Sequence, residues 1–317
     1  MASPPQKSPA LQLSMRASAA LPMVLKPCLR EVSSAVKRFE RSRGVREVHK
    51  LRVAIRRAHT ALTVFRELTP SKSSSHLDAE LHRLQRRIGV VREWDVFIAG
   101  ALRNGDLGLH KRRFASAYAK ASRRRKKAAR HSAADFDSKR FRKLMRHLEA
   151  FAVHVRDTEA IRRSNVRNGT SDLSADPLVS TFANDVLLKY YARFELEQRK
   201  AKDLGSRHLH ALRIRVKKLR YVAEFFRDLY PVRPMRRFLS VLTTFQDQLG
   251  EVHDFYVAQS KMAGLKKKKN HAAVAFRGDV DTLGKLTAAE KLVWAAAGAI
   301  GVEHSLPSKS YGAVSHD

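Results

Sequence analysis

The chain has 317 residues and a formal net charge of +33, because 63 Lys and Arg residues outnumber 30 Asp and Glu residues. Its hydrophobic content of 44% supports a packed core and excludes a disordered basic tail as the source of the charge. The one cysteine, Cys28, excludes a disulfide framework and a cysteine-based zinc finger, and no apolar stretch is as long as a membrane span. The charge indicates a polyanionic partner: nucleic acid, an anionic membrane surface or a phosphate polymer.

The chain is predicted to be helical over most of its length. With 14 Gly and 10 Pro, turn residues are too sparse for a sheet protein. Residues 1–20, rich in Ser, Ala and Pro, are predicted to form a disordered leader. Apolar residues then recur at helical spacing in segments that Gly44 and Pro70 interrupt. The predicted helices of the first half span about residues 24–39, 47–68, 76–102 and 109–154, the last divided near 135–137.

A repeat divides the chain into two similar halves. The segment VHKLRVAIRRAHTALTVFRELTP matches LHALRIRVKKLRYVAEFFRDLYP, so that His49 aligns with His210, 161 residues later. The same spacing continues without a gap through Val96 and Val257. Constant spacing over about 50 residues indicates an internal duplication. The predicted parts are a first copy at about 21–160, a linker at about 161–177, a second copy at about 178–302 and a flexible tail at 303–317.

The repeated helix carries an apolar stripe and, roughly opposite it, a cationic ridge. The stripes, assigned to the core, are Leu51, Ile55, Ala58, Leu62 and Phe65 in the first copy and Leu212, Val216, Leu219, Ala223 and Phe226 in the second. The ridges are His49, Arg52, Arg56 and His59, flanked by Lys50 and Arg57, and His210, Arg213, Lys217 and Arg220, flanked by Lys218. A solvated face usually mixes charge signs, whereas these ridges repel themselves. Their presence in both copies indicates that an anion binds there.

Residues beside the second ridge add detail to this hypothesis. Glu224 follows Arg220 by four residues and is predicted to hold its side chain in position. Tyr221 is either a packing residue or a hydrogen-bond donor to phosphate. His49 and His210 occupy equivalent positions and are predicted to bind phosphate, whose charge would raise their pKa. No zinc site is predicted, because neither histidine has a second ligand at the spacing of one turn.

Four blocks of the sequence resemble those of a known family. VHKLRVAIRR, RIGVVREWDV, LHALRIRVKKLRYVAE and QLGEVHDFYV are similar to the signature blocks of the CHAD family, the conserved histidine α-helical domain. The resemblance covers roughly residues 22–300 and implies one CHAD domain over 21–302. It implies an all-α fold of two pseudo-symmetric helical bundles, formed by an internal duplication, that enclose a basic central channel. It also implies binding of inorganic polyphosphate.

The resemblance also transfers site residues by position. Arg92 and His253 lie in the second block of each copy, where Glu93 replaces the usual Asp and His253 replaces a common Arg. The third helix of the first copy is basic at Arg83 and Arg87, whereas its counterpart is not, so the halves are expected to contribute unequally. The predicted polyphosphate-binding residues are His49, Lys50, Arg52, Arg56, Arg57, His59, Arg83, Arg87, Arg92, His210, Arg213, Lys217, Lys218, Arg220, Tyr221 and His253.

We expect a binding protein and not an enzyme. The sequence has no phosphate-binding glycine loop, no HExxH motif and no acid cluster for magnesium, so no metal site and no cofactor are predicted. Glu195, Glu197 and Arg199 approximate the ExExK strand motif of triphosphate tunnel enzymes, but they lie in a helical context. Aromatic residues make up only 8%, which favours polyphosphate over nucleic acid, whose single-stranded binders stack bases on aromatic rings.

Two alternatives stay open: a non-specific nucleic-acid-binding protein, and a phosphatase or polyphosphate-kinase-like enzyme. The basic runs SRRRKK from Ser122 and KKKK from Lys266 either extend the binding surface, act as import-like signals or are simply solvated. The expected partners are inorganic polyphosphate and polyphosphate granules, with nucleic acid as a non-specific competitor and no membrane. The expected location is the cytoplasm, on granules, or the nucleus or nucleolus in a eukaryotic host.

Overall fold

The computed structural model of the protein describes residues 10–68, 72–99, 111–167, 176–200, 206–265, 293 and 295–301. Regular secondary structure within these ranges is helical, which confirms the predicted all-α fold. The long helices are α1 (Ala17–Arg41), α2 (Val45–Phe65), α3 (Lys72–Ala99), α4 (Lys111–Asp137), α5 (Lys139–Arg167), α6 (Val179–Lys200), α7 (Ser206–Phe226) and α8 (Val232–Leu265). Short 3₁₀ turns at Arg66–Leu68 and Arg227–Leu229 extend α2 and α7. No described helix is both long and apolar enough to cross a lipid bilayer.

The helix boundaries agree with the sequence in the middle of the chain and differ near its start. The break between α4 and α5 falls at Ser138, beside the predicted division. The disordered leader predicted for residues 1–20 is wrong from Leu11 onward, because Leu11 is 7% exposed and α1 already begins at Ala17. Ala17 and Ala20 are fully buried, so this Ser- and Ala-rich segment packs closely because its side chains are small.

Some predicted boundaries fall partly outside the described residues. Helix α5 continues to Arg167, so the linker predicted from residue 161 starts later than expected. Residues 1–9, 100–110, 168–175 and 302–317, which include part of the predicted leader, part of the linker and the predicted tail, lie outside the described part of the chain.

The start of α1 is capped by a residue far away in the sequence. No side chain of α1 itself caps its first turn, and that turn contains no acidic residue. Instead the Ser18 backbone N–H donates to Asp176 Oδ1 at 3.0 Å, and the Ser18 hydroxyl donates to Asp176 Oδ2 at 2.6 Å. An isolated antiparallel bridge joins the neighbouring Arg16 and Leu178. The segment that precedes α6 therefore satisfies the unpaired amide groups at the start of the first half.

Helices α2 and α7 form the centre of the molecule, and they match each other in detail. Both contain 21 residues, and both start, end and continue into a three-residue 3₁₀ turn at positions exactly equivalent in the repeat. Their predicted apolar stripes are all buried, with at most 3% exposure, which confirms the assignment to the core. The rings of Phe65 and Phe226, which are equivalent, lie 6.0 Å apart, and Phe182 packs against both. An internal duplication predicts this correspondence.

The packing order of the helices determines where the cationic ridges lie. Helix α2 packs against α1, α3 and α7, whereas α7 packs against α6, α8 and α2. Helices α3 and α8 also contact each other. Because α2 and α7 each carry one predicted ridge and touch directly, the ridges of the two halves are brought to the same region of the fold.

Candidate functional site

Seven predicted residues gather where α2, α3 and α7 meet. Arg213 of the second half acts electrostatically on Arg52 of the first, and Lys217 acts on His49 in the same way. Arg52 and Arg56 in turn act on His210. The two ridges therefore converge and are not splayed apart. We call this group the central cluster, and it consists of His49, Arg52, Arg56, Arg92, His210, Arg213 and Lys217.

The surroundings of Arg52 disfavour the positive charge of its guanidinium. Burial, together with the charges of Arg56 and Arg213, lowers the pKa of its guanidinium to about 10, and Glu93 compensates only in part. The buried Nε of Arg52 has no hydrogen-bond partner among the residues that the structure describes. A buried donor without a partner costs about 1–3 kcal/mol, so a bound anion at this position would be stabilising.

The two equivalent histidines share the same environment. Burial lowers the pKa of His49, and the nearby charges of Arg92 and Arg52 lower it further. Burial likewise lowers the pKa of His210, with Arg213 and Lys217 adding to the effect. Both imidazoles are therefore neutral near pH 7, and each can donate one hydrogen bond while it accepts another.

Helix α8 passes close to the second arginine of the cluster at Gly250. The guanidinium Nη2 of Arg213 lies 3.7 Å from the point that a Cβ at Gly250 would occupy. Helix α8 therefore forms a wall beside α7 at this level. Gly89, its equivalent on α3, has no atom within 4 Å of its corresponding position. The surroundings of the two equivalent glycines therefore differ.

Two further predicted residues, Arg57 and Arg220, interact with the carboxylate of Glu224. Arg220 Nη1 donates to Glu224 Oε1 at 2.6 Å, and Arg57 Nη1 lies 3.3 Å from Glu224 Oε2. The prediction that Glu224 positions Arg220 is confirmed. Arg57 also lies 3.8 Å from Glu31 Oε2, so this cation links α1, α2 and α7. Arg57 therefore has a structural role between the two halves, whereas Arg220 is held by partners within the second half.

Two predicted phosphate ligands are corrected by their burial. Tyr221 is 2% exposed, and the Arg220 guanidinium lies 5.0 Å from its ring centre, so Tyr221 is a packing residue. His59 is 9% exposed, and its Nε2 lies 3.1 Å from Asp78 Oδ1. The His59 contact is the first cause of the lowered pKa of Asp78. Neither side chain presents a free donor to a ligand in this structure.

Arg83 and Arg87 on α3 are paired with acids of the first half. Arg83 Nη1 donates to Asp135 Oδ1 at 2.8 Å, and Arg87 Nε lies 3.2 Å from Asp135 Oδ2. Glu80, which also accepts from Arg140 Nε at 2.7 Å, lies 3.5 Å from Arg83 Nε. Arg83 therefore joins α3 to α4 in this structure, and its assignment to phosphate binding stays a prediction. Arg87 keeps 56% of its side chain exposed.

The remaining predicted residues lie at the edges. Lys50 is exposed and lines a pocket of about 450 Å³ together with His49 and Arg38. Lys218 is partly buried, and burial and the charge of Arg215 lower its pKa. The side chain of His253 on α8 lies outside the described residues.

Acidic and histidine side chains are not grouped into a metal site in the described part of the chain. Among the described residues, no three or more His, Cys, Asp or Glu side chains are placed to hold a metal ion. The ELEQR motif lies on α6, where burial raises the pKa of Glu195 to about 7 and Glu197 pairs with Arg215 at 3.5 Å. The motif is therefore part of a helix, as predicted, and one of its two carboxylates belongs to the protein interior.

The chain is similar to CHAD domains in sequence and in fold. The family model of the CHAD domain matches residues 23–263. No curated protein sequence matches the chain significantly. Among solved structures, the CHAD domain from the plant Ricinus communis is similar with a TM-score of 0.70 at 22% identity, covering 94% of this chain and 96% of that one. PptA from Streptomyces chartreusis is similar with a TM-score of 0.53 at 16% identity, covering 90% and 98%. At these identities, the structural matches show the fold alone.

Proposed function

This chain belongs to the CHAD domain family, and we propose that it binds inorganic polyphosphate in the central cluster without catalysing a reaction. The observation that carries the proposal is the convergence of Arg52 and Arg213, two equivalent cations from the two halves, in a partly buried position. Like charges about 5 Å apart repel by roughly 3 kcal/mol at an effective dielectric near 20. Such an arrangement favours a polyanion that lies between the halves as a bridging counter-charge.

The chemistry of the surroundings supports polyphosphate over nucleic acid. Polyphosphate has no bases, so its binder needs donors along a path and no surface for stacking. The aromatic residues of α2 and α7 are Phe65, Tyr221, Phe225 and Phe226, and all four are buried. The central cluster thus offers charge and hydrogen-bond donors but no Phe, Tyr or Trp ring from these two helices. Binding to polyphosphate granules, in the cytoplasm or in the nucleus of a eukaryotic host, follows as a further expectation.

The proposal is tested by competition between polyanions. A fluorescent polyphosphate is bound to the full chain, and unlabelled polyphosphate, single-stranded RNA or duplex DNA is added at equal phosphate concentration. We expect polyphosphate to displace the probe at the lowest concentration and affinity to fall steeply with salt, because counterions are released. More effective displacement by RNA or DNA would favour the nucleic-acid alternative. Phosphate release in the presence of magnesium would contradict the non-catalytic assignment.

Binding is expected to strengthen as pH falls from about 8 to 6. Both cluster histidines have lowered pKa values in the free protein. A bound phosphate raises their pKa, so the complex takes up protons that the free protein does not hold. Proton uptake is measured by calorimetry in buffers of different ionisation enthalpy. Folding without ligand has the opposite pH dependence. The free energy of unfolding decreases below about pH 6.5, because histidine takes up the proton more readily when the chain is unfolded.

The histidine effect has a matched control. The His49→Gln and His210→Gln double variant should remove most of the pH dependence of binding. The His76→Gln and His147→Gln double variant replaces two exposed histidines of α3 and α5 and should keep it. Equal pH dependence in the two variants would show that the cluster histidines do not contact the ligand.

A further inference from the structure

Helix α4 carries a row of cations that the central cluster does not use. At about 100° per residue, five basic side chains fall within a sector of about 120° that runs along roughly 15 Å of the helix. All five are exposed, and we call them the outer basic face: Lys120, Arg123, Arg124, Lys127 and Arg130. Within the described part of the chain, Lys120, Arg123, Lys127 and Arg130 make no ion pair with an acid. This distinguishes them from Arg83 and Arg87 of α3, which pair with Asp135.

The opposite side of α4 explains why this face must point to solvent. The residues that pack inward are mostly alanines, with Ala121 and Ala129 almost fully buried, so α4 lies close against α3. At the centre of that inner sector stands Arg125, whose Nε donates to the fully buried side chain of Asp95 at 2.6 Å. This ion pair, together with those of Arg83 and Arg87 with Asp135, helps to fix the rotation of α4 against α3. Arg124, one residue earlier, then lies over the ring of Trp94 with its guanidinium 5.7 Å from the ring centre.

The same anchor joins α4 to two elements that carry or precede residues of the central cluster. Asp95 lies one helical turn after Arg92 on α3, and the charge of Arg92 acts on it. Arg125 Nη2 also donates to the backbone oxygen of Arg43 at 2.6 Å, in the turn between α1 and α2. That turn leads directly into α2, and Arg43 in the turn, Arg41 at the end of α1 and Arg46 at the start of α2 have exposed basic side chains. Exposed cations therefore lie beside the contact between α4 and the start of the helix that carries the first ridge.

We propose that the outer basic face of α4 is a second contact site for the same polyphosphate chain, engaged only by chains long enough to extend out of the central cluster. This inference rests on the proposed function and adds a chain-length preference to it. A chain held at the cluster presents its free end to α4 at a high effective concentration, so even individually weak contacts add to affinity.

Polyphosphate fits this face better than other polyanions do. The row of cations is narrow and lies on the convex surface of a helix. Because a polyphosphate chain is flexible, it can follow this row along α4. The exposed Tyr118 lies on α4 but outside the sector of the five cations. Its ring is therefore not placed to stack with the bases of a nucleic acid bound along the row. A solvated face would keep acids among its cations to lower the self-repulsion, whereas this face has none between Lys120 and Arg130.

The test compares chain lengths on one variant and a matched control. The variant replaces Arg123, Lys127 and Arg130 by Gln, which keeps helix propensity and removes three charges. The control replaces Lys139, Lys143 and Arg146 of α5 by Gln, which are exposed, equally spaced along their helix and also three charges. Probes are polyphosphates of about 8 and about 100 phosphates, the shorter chosen to fill only a site that neutralises about 6–10 phosphates.

The expected result is a loss confined to the long probe. The α4 variant should bind the long chain about 10-fold more weakly, with a salt slope lower by about 2, and the short chain within about 2-fold of the unmodified protein. Equal loss in the α5 control, no loss for the long chain, or a loss seen only with duplex DNA would each overturn the inference while the short probe still reports on the central cluster. Failure of the unmodified protein to bind either probe would overturn the proposed function itself.

Discussion

Charge reversal of the two equivalent arginines, Arg52→Glu with Arg213→Glu, is expected to weaken polyphosphate binding by at least about 100-fold. Each arginine can supply charge-assisted hydrogen bonds, worth about 1.5–3 kcal/mol each, and loss of two such donors corresponds to roughly 3 kcal/mol or more. The introduced carboxylates would also repel the ligand. Binding is measured by fluorescence anisotropy at fixed ionic strength, because affinities for polyanions depend strongly on salt.

The stability of the same variants separates a binding role from a structural one. Burial lowers the pKa of the Arg52 guanidinium, and the nearby charges of Arg56, Arg213 and Arg92 lower it further. A glutamate at this position would meet those cations with opposite charge, so Arg52→Glu alone should not lower the free energy of unfolding in urea. A loss of stability as large as the loss of binding would mean that Arg52 holds the fold together.

The control for charge reversal is taken from a distant surface. Arg233→Glu with Arg237→Glu changes the net charge equally, at two exposed positions near the start of α8. We expect this variant to bind polyphosphate within a few-fold of the unmodified protein, since a long-range field is screened over about 8–10 Å. A reduction comparable to that of the cluster variant would indicate that overall charge, and no particular site, determines binding.

Removal of one carboxylate, Glu224→Gln, is expected to destabilise the protein by about 2–3 kcal/mol. The Glu224 side chain is 19% exposed and pairs with Arg220 of its own helix and Arg57 of the other half. Without its charge, two partly buried guanidinium groups would face each other with no opposite charge between them. The change is measured as a lower midpoint of urea unfolding with an unchanged slope.

Two further variants make the Glu224 prediction specific. Asp228→Asn removes an exposed acid that lies 3.4 Å from Arg227, and it should cost less than about 1 kcal/mol. Adding Arg57→Met to Glu224→Gln should restore part of the lost stability, because the uncompensated charge is removed. If Glu224→Gln proves as mild as Asp228→Asn, the carboxylate does not join the two halves.

The central part of the fold could be predicted from the sequence because local and repeated patterns of residues specify it. The spacing of Leu51, Ile55 and Leu62 sets the buried face of α2, and the equivalent residues set that of α7. Once the buried faces are fixed, Arg52 and Arg213 must lie away from the core of their own halves. Their presence in both copies was the signal that they act together.

Partners distant in the sequence could not be predicted in this way. Asp135 follows Arg83 by 52 residues, and only the packing of α4 on α3 brings the two together. His59 was placed on the ridge by its helical angle, but Asp78 on α3 closes over it at 3.1 Å. Tyr221 lies beside the ridge of α7, yet three neighbouring helices widen the buried arc until it includes this ring.

The contact between Phe65 and Phe226 has an evolutionary consequence. When a residue touches its own counterpart, as in a symmetric homodimer, the contact lies on the twofold axis. A polypeptide with a single copy would have to self-associate to cover these rings and to complete the group of cations around Arg52. Its folding and its ligand affinity would then vary with protein concentration. The duplication that the sequence predicts would make that assembly unimolecular, so the two halves would stay together at any dilution.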